Sequence, residues 1–520
     1  MALEASYMAV RSLRPRIKIV TLSAPVGGWN ARDSYADMPP LDAVTMLNYW
    51  PTTTSVIARF GYSQFATGLG GNVETLMAYS GAATTKFFGA TSGGFIYDVT
   101  SGGAVGAADV SGLTNGRFQY VNVATVGANY IMAVNAADKA RYYNGSTWDF
   151  DGNAGLTITG VDSAGCIGIN LFKNRVWLIE QNTLLAWYLP VGAVAGAAAS
   201  LDLRAFAPHG GSLVAMGTWT LDAGYGVDDY AVFLTSKGDV IVYRGTDPSS
   251  ASTWALTGIW SLGSPIGNRP FVKWKGDLLL ICQDGLVPLS SALQSSRLNP
   301  KVALTDKIKS AMTAAVGNYG STFGWQVLPF PAQNMLVLNV PVAAAMNQEQ
   351  YVMNAITGSW ANFTGWNANC FEIFNDNLYF GSGGYVGKAW DTNADSGSAI
   401  NGLVIQAFNT FGEPGQRKRV TSIRPIFLTN GSPTIYGGIN WDYDLSNPTA
   451  TLTTSPSNFA LWDVAVWDSG IWGGGLNPTY SIQSASGSGW AGAPVFKSAQ
   501  NGVELQFVSN DISLEIGGFL

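Results

Sequence analysis

The sequence predicts a mainly β protein, a β-propeller of about seven blades with an additional β-rich platform domain. Three observations predict it. Short aromatic and β-branched runs recur with Gly, Asn, Asp or Lys-Gly turns between them. Their spacing falls at roughly 40 to 55 residues, the range of propeller blades. The stretch between about Gly61 and Trp390 has room for about seven such units.

Taken in order, residues 1–55 lack this rhythm and are expected to pack against the platform. Arg11, Arg14, Arg16 and Lys18 stand where a secretory leader would need an uninterrupted apolar core, so no export signal is expected. Residues 56–395 carry the blades. Hairpins are expected at 87–89 with 95–98, at 130–134 with 141–145, and at 229–234 with 240–243, because β-branched and aromatic side chains suit a pleated, half-buried surface. Polar turns leading into apolar runs recur at 174–179, 275–281 and 375–381. One segment breaks the pattern: residues 304–317 place Ile308, Met312 and Ala315 on one helical face, with Thr305 as N-cap and Gly317 as stop, so a helical insertion is expected there. The stretch 391–398 reads as a linker, and 396–520 as the platform.

Composition narrows the function. Charged residues make up 12% of the 520, and the 62 glycines equal all Lys, Arg, Asp and Glu together, a pattern of low charge without the signature of disorder. The longest apolar run, 191–199, is nine small residues, far short of the eighteen or so of a spanning helix, so no membrane insertion is expected. A net charge of −6 argues against a protein that grips nucleic acid by neutralising phosphates. Cys166, Cys282 and Cys370 have neither metal-ligand nor disulfide-framework spacing and read as small core residues.

No catalytic residue, metal ligand or cofactor-binding residue is selected, and no enzyme activity or cofactor is expected. The single histidine, His209, sits in a turn-like Ala207-Pro208-His209-Gly210-Gly211, and one histidine cannot build a two-histidine metal site. Asp395-Ser396-Gly397 and Asp468-Ser469-Gly470 have the form of paired acid-protease loops, but apolar strands do not clasp them, and they read as Asp turns. Residues 149–153 are too short for a calcium loop. Residues 144–148 and 252–254 lack the residue order of the sialidase aspartate box. Two clusters remain as candidate contacts. Arg417, Lys418, Arg419 and Arg424 form the one basic cluster, either a solvated turn or an interface with an acidic neighbouring subunit or adaptor, with a phosphate backbone as a third reading. Trp441, Trp462, Trp467 and Trp472, with Trp490 beyond, form a candidate aromatic contact surface. The five-residue spacing of Trp462, Trp467 and Trp472 would alternate faces along an unbroken strand, so one shared face needs a turn or bulge between them. Packing between strands or subunits and stacking on sugars both stay open.

Several phrases carry a resemblance. Gly27-Gly28-Trp29-Asn30-Ala31-Arg32-Asp33-Ser34, Met38-Pro39-Pro40-Leu41-Asp42-Ala43, Asn48-Tyr49-Trp50-Pro51, the stretch 350–360 running into Phe363-Thr364-Gly365-Trp366-Asn367-Ala368, Leu378-Tyr379-Phe380-Gly381 and the stretch 416–425 are similar to the tail hub or nozzle proteins of short-tailed (podovirus) bacteriophages. The resemblance implies a virion structural protein made in the host bacterial cytoplasm. It implies a propeller on a β platform, assembled as a homo-oligomer, a hexamer in the family, beneath the portal and adaptor. Tail fibres or spikes would be further partners, and the ring would extend the channel that retains packaged double-stranded DNA and lets it exit. Chains of net charge −6 would line that channel without holding the DNA tightly. The alternative from another class is a carbohydrate-binding or glycan-cleaving propeller recognising the host surface, on the strength of the C-terminal tryptophans.

Overall fold

Runs of four to eight apolar residues separated by turn formers pair with their nearest sequence neighbours, and the chain accordingly lays down small antiparallel sheets one after another. The computed structural model describes residues 16–153, 155–222, 227–292, 302–343, 346–452 and 475–517. The protein is mainly β with a propeller-like arrangement of sheets. Gln119–Ala124, Asn129–Val134, Arg141–Tyr143 and Trp148–Phe150 form one meander. Cys166–Phe172, Arg175–Glu180, Leu185–Tyr188 and Ala199–Asp202 form the next, and Leu213–Asp222, Val227–Thr235, Asp239–Gly245 and Trp254–Ser261 a third. Phe271–Trp274, Asp277–Cys282 and Gly285–Pro288 make a three-stranded sheet, followed by Gln326–Phe330, Met335–Val340, Glu349–Asn354 and Trp360–Thr364.

The long strand Tyr62–Ser80 joins the two ends of this series. Its first part pairs with Gly383–Ala389, completing the sheet of Cys370–Phe374 and Asn377–Gly381, and its second part pairs with Thr85–Thr91, which in turn pairs with Ile96–Asp98. A strand from early in the chain thus fills the last sheet.

Tight turns set the registers. Lys173-Asn174, Lys275-Gly276 and Asn375-Asp376 all have positive φ at both residues and join the first strand of a sheet to the second. Two left-handed residues in a row match the twist of the strands they connect. The hairpins expected from the sequence are present: Thr85–Thr91 pairs with Ile96–Asp98, Asn129–Val134 with Arg141–Tyr143, and Val227–Thr235 with Asp239–Gly245.

The helix runs Lys309–Tyr319 after a 3-10 turn at Asp306–Ile308, with Ile308, Met312 and Ala315 buried. Two expectations are corrected here. Thr305 does not cap the helix; its hydroxyl accepts a hydrogen bond from the Leu286 amide at 3.1 Å instead. Gly317 does not stop the helix, which continues two residues to Tyr319, itself packed against the core, and ends where the Gly320 amide meets the Val316 carbonyl.

The second β region is built on two long strands, Lys418–Thr429 and Leu505–Ile516, paired antiparallel. Arg16–Ser23 pairs along the other side of Leu505–Ile516, as do the residues at Val56–Ala58. A separate sheet of ten strands crosses between the two regions: Trp360–Thr364 pairs with Gly28–Trp29, which pairs with Asp42–Leu47, which pairs with Ile400–Gln406, and the sheet continues through Gly492–Gln500, Thr434–Trp441 and Thr451–Leu452. Trp50, Val56, Val337, Phe363, Phe427 and Phe507 consequently belong to one hydrophobic cluster drawn from both regions.

At this junction lies the guanidinium of Arg59, whose side chain is fully buried. It donates to both oxygens of Asp395, at 2.9 and 2.5 Å, to the Asn48 side-chain oxygen at 2.9 Å, and to the carbonyls of Phe60 and Thr364. It also lies over the Trp366 ring at 5.3 Å. Gly365, at φ +103°, makes room for the pair: a Cβ there would stand 2.4 Å from an Asp395 oxygen and 2.6 Å from the guanidinium. Asp395 is thereby committed to Arg59, and Asp468 of the other Asp-Ser-Gly triplet lies outside the described residues. Arg59→Met should destabilise the protein by about 3–5 kcal/mol, the cost of leaving a buried acid unpaired; urea denaturation of the purified chain measures it, and a loss under about 1 kcal/mol would reject the central role of this pair.

Candidate functional site

Alternate residues of an inner strand point toward the centre of the sheet array, and the first strands of successive sheets here face one axial channel. The channel encloses about 310 Å³ and is bordered by Thr75, Tyr120, Asn170, Arg269, Gln326 and Glu372 among others. Glu372 is the one acid in the apolar strand Cys370–Phe374. One of its oxygens accepts from the Tyr120 hydroxyl at 2.8 Å and the other from the Ile373 amide at 3.0 Å. It is half-buried and faces the channel interior. Burial raises its carboxyl to about 6, against the opposing hydrogen bonds from Tyr120 and Ile373 and the field of Arg269. Burial, with the nearby Glu372 charge, pushes the Tyr120 hydroxyl well above its ordinary range.

Arg269 reaches the channel from the segment before Phe271–Trp274. Its guanidinium donates to the Thr75 hydroxyl at 2.7 Å, to the carbonyls of Phe118 and Glu74, and at 3.5 Å to the Gln326 side chain. One mouth is covered by the segment 320–325 that follows the helix: Arg117 and Arg269 both lie over the Phe323 ring, at 4.6 and 5.7 Å. Arg117 is held there by Glu74 at 2.9 Å. Toward the other mouth the wall continues through Asn122, Thr218 and Lys273. The arrangement offers charge and hydrogen bonds in a confined space.

The residues singled out by the sequence lie elsewhere and are not brought together here. Lys418 is corrected: it is 1% exposed, and its ammonium donates to the carbonyls of Gln416 and Trp490 at 2.8 Å each, so it cannot meet a partner subunit. The alternation of its strand turns it inward while Arg419 points out, and burial lowers its pKa. Arg417 and Arg419 are exposed, Arg419 only loosely beside Glu515 at 4.0 Å, and Arg424 is bound to Asp511 at 2.5 Å. Trp441 is half-buried, edge-on to Phe411, and Trp490 is 37% exposed; Trp462, Trp467 and Trp472 lie outside the described residues.

His209 is more than a surface turn. Its Nδ1 stands 2.7 Å from the fully buried Asp239, and its backbone amide donates to the same carboxylate. Ser261 also donates to Asp239, at 3.0 Å, and lies 3.4 Å from that same Nδ1. Serine and acid crowd one ring nitrogen, whereas a nucleophilic triad needs them on opposite nitrogens, so the cluster is a structural lock. The three cysteines are buried, and burial pushes each thiol up to about 12. Among the described residues no group of three His, Cys, Asp or Glu could hold a metal ion.

Sequence reasoning missed Arg269, Tyr120 and Glu372. The available signal was a lone acid inside Cys370-Phe371-Glu372-Ile373-Phe374, where a buried charge needs partners from elsewhere in the chain.

No family model and no curated protein matches the chain. Among solved structures, the chain is similar to BBS1N in complex with ARL6DN, in a mercury-soaked crystal (16% identity, 42% of this chain and 64% of that one, TM-score 0.28) and in a lead-soaked crystal (9% identity, 65% and 99%, TM-score 0.40). It is also similar to the Cps50 (Swd1) β-propeller domain of Myceliophteria thermophila (12% identity, 63% and 98%, TM-score 0.39), and to the SapL1 lectin in complex with alpha methyl fucoside (15% identity, 57% and 96%, TM-score 0.30).

The Glu372 carboxyl generates a pH dependence. A carboxyl whose folded value lies above the unfolded one holds its proton more tightly in the native state, so its stabilising contribution is present below about pH 4.5 and is lost as pH rises through about 6. Relative to Glu372→Gln, which cannot titrate, the wild type should lose on the order of 2 kcal/mol between about pH 4 and pH 7. Paired urea denaturation curves at both pH values measure the difference, and parallel curves would reject it.

Proposed function

We propose that this chain is a virion structural protein, the ring-forming tail nozzle of a short-tailed phage, built on a seven-bladed propeller with a β platform. The observation that carries the reading is convergence. The phrases similar to the tail hub family are far apart in sequence, yet several of them meet at the junction of the two β regions. Asn48 binds Arg59, Asn354 donates to the Pro51 carbonyl at 2.9 Å, Gly28 pairs with Trp360, and Tyr49 donates to Ser498 at 2.8 Å. In the Gly27 phrase, Asn30 donates to Asp33 and Asp42, while Lys307 donates to Asp42 and to the Gly27 carbonyl at 2.7 Å each. A junction so tied would transmit force between propeller and platform.

The blade count is supported by the channel wall, to which the strands Tyr62–Ser80, Gln119–Ala124, Cys166–Phe172, Leu213–Asp222, Phe271–Trp274, Gln326–Phe330 and Cys370–Phe374 each contribute. The platform assignment, residues 396–520 with the first strands added, is supported by the pairing of Arg16–Ser23 with Leu505–Ile516. Each propeller's own axis is crossed by Arg269, Tyr120 and Glu372 and is too narrow for a duplex, so in this reading DNA passes between copies, through the lumen of a homo-hexamer. Portal and adaptor proteins would lie above the ring and fibres or spikes around it. An acidic wall, six chains of net charge −6, lets phosphate slide without being held.

Quantitative mass spectrometry of purified virions should find about six copies per particle, as a closed ring at a single vertex requires, and absence from particles overturns the proposal. Exposed Arg417 and Arg419 are its candidate subunit contacts. Reversing both to Glu should abolish incorporation into tails with the thermal melt of the isolated chain unchanged, and normal incorporation removes that interface.

A further inference from the structure

The axial channel holds two opposite charges that do not neutralise each other directly. Among the described residues neither Arg269 nor Glu372 makes an ion pair: the guanidinium is bound to carbonyls, a hydroxyl and an amide, and the carboxylate to a phenol and a backbone amide. Both border the same cavity. Both are half-buried, so they are screened less than surface charges, and two charges of opposite sign on one cavity wall set up a fixed field there. A molecule carrying both charges satisfies both walls at once, where a simple anion or cation satisfies one and faces repulsion from the other.

We propose that the channel is a binding site for a small zwitterion, a free amino acid whose carboxylate meets Arg269 and whose ammonium meets Glu372. The volume, about 310 Å³, corresponds to roughly ten waters, enough for a compact amino acid. Tyr120 and the Ile373 amide hold the Glu372 carboxylate, and Thr75 and the Phe118 carbonyl hold the guanidinium, so both charges are positioned before a ligand arrives. Phe323 lies under Arg117 and Arg269 at one end. Entry is from the mouth bordered by Asn122, Thr218 and Lys273. The inference concerns each propeller by itself and does not depend on the assembly reading.

Isothermal titration of the full chain with glycine, β-alanine, 4-aminobutanoate and 6-aminohexanoate tests it, because the series spans the separation of the two charges. At least one should bind saturably, one per chain, and more tightly by tenfold or more than acetate or methylammonium. Glu372→Gln keeps the side-chain shape and should weaken that probe on the order of tenfold or more; Arg269→Lys, which keeps the charge and loses the fork, serves as the second variant. Thermal melts establish that each variant is folded. Silence from all four probes, equal binding of acetate or methylammonium, or undiminished binding by folded Glu372→Gln would overturn the site.

Discussion

The buried Arg59–Asp395 pair is the constraint from which the rest of the architecture follows. A guanidinium has five donors in a rigid plane and cannot shed its charge, so once buried it must find acceptors on every side. Arg59 finds them in the N-terminal segment, in the strand Trp360–Thr364 and in the segment leading to the second β region. Segments that no local pattern would join are therefore held at one point, and the ten-stranded sheet that crosses between the regions runs past it. Removing the charge partner harms more than omitting the pair altogether, because the Coulomb gain and the desolvation cost are each large and nearly cancel.

The same rule, applied without closure, produces the channel. At Arg59 the acid and base touch; at Arg269 and Glu372 they share a cavity but keep apart, each resting on dipoles of the backbone and of Tyr120, Thr75 and Gln326. One arrangement fixes structure, and the other leaves an unspent field in a space that a small molecule can enter. His209 and Asp239 stand between these cases, an acid fully buried beneath a histidine that is largely in water.

Much of the local fold was legible in the sequence because it is set by residues two to ten apart. Turns such as Asn375-Asp376 announce themselves by residue type, and the apolar runs beside them alternate or fill as strands must. The buried face of the helix was legible from Ile308, Met312 and Ala315, while its end was not, since tertiary packing carried it past Gly317. Lys418 was misread for a similar reason: a basic run looks solvated, but strand alternation makes every second member face inward. The channel was not legible at all. Thr75, Arg269 and Glu372 come from three distant stretches of the chain, and only the closing of the series brings them to one cavity. The strand Gly28–Trp29, which joins Trp360–Thr364 to Asp42–Leu47 within the ten-stranded sheet, is two residues long and carries no periodicity to read.

The shared strand Tyr62–Ser80 has a bearing on how the chain is made. Its first part pairs with residues more than three hundred positions later, as the contact of Tyr62 with Tyr385 at a separation of 323 marks. Thr21 and Asp511, at a separation of 490, show the same for the outer strands. A ribosome therefore releases several finished hairpins long before the partner of the first strand exists, and during that interval a β edge waits open. Loop-closure entropy grows only slowly with length, so the delay costs little in final stability, but it slows folding and lengthens exposure to other chains. Synthesis of the last third of the polypeptide is thus the step that commits the molecule to one shape.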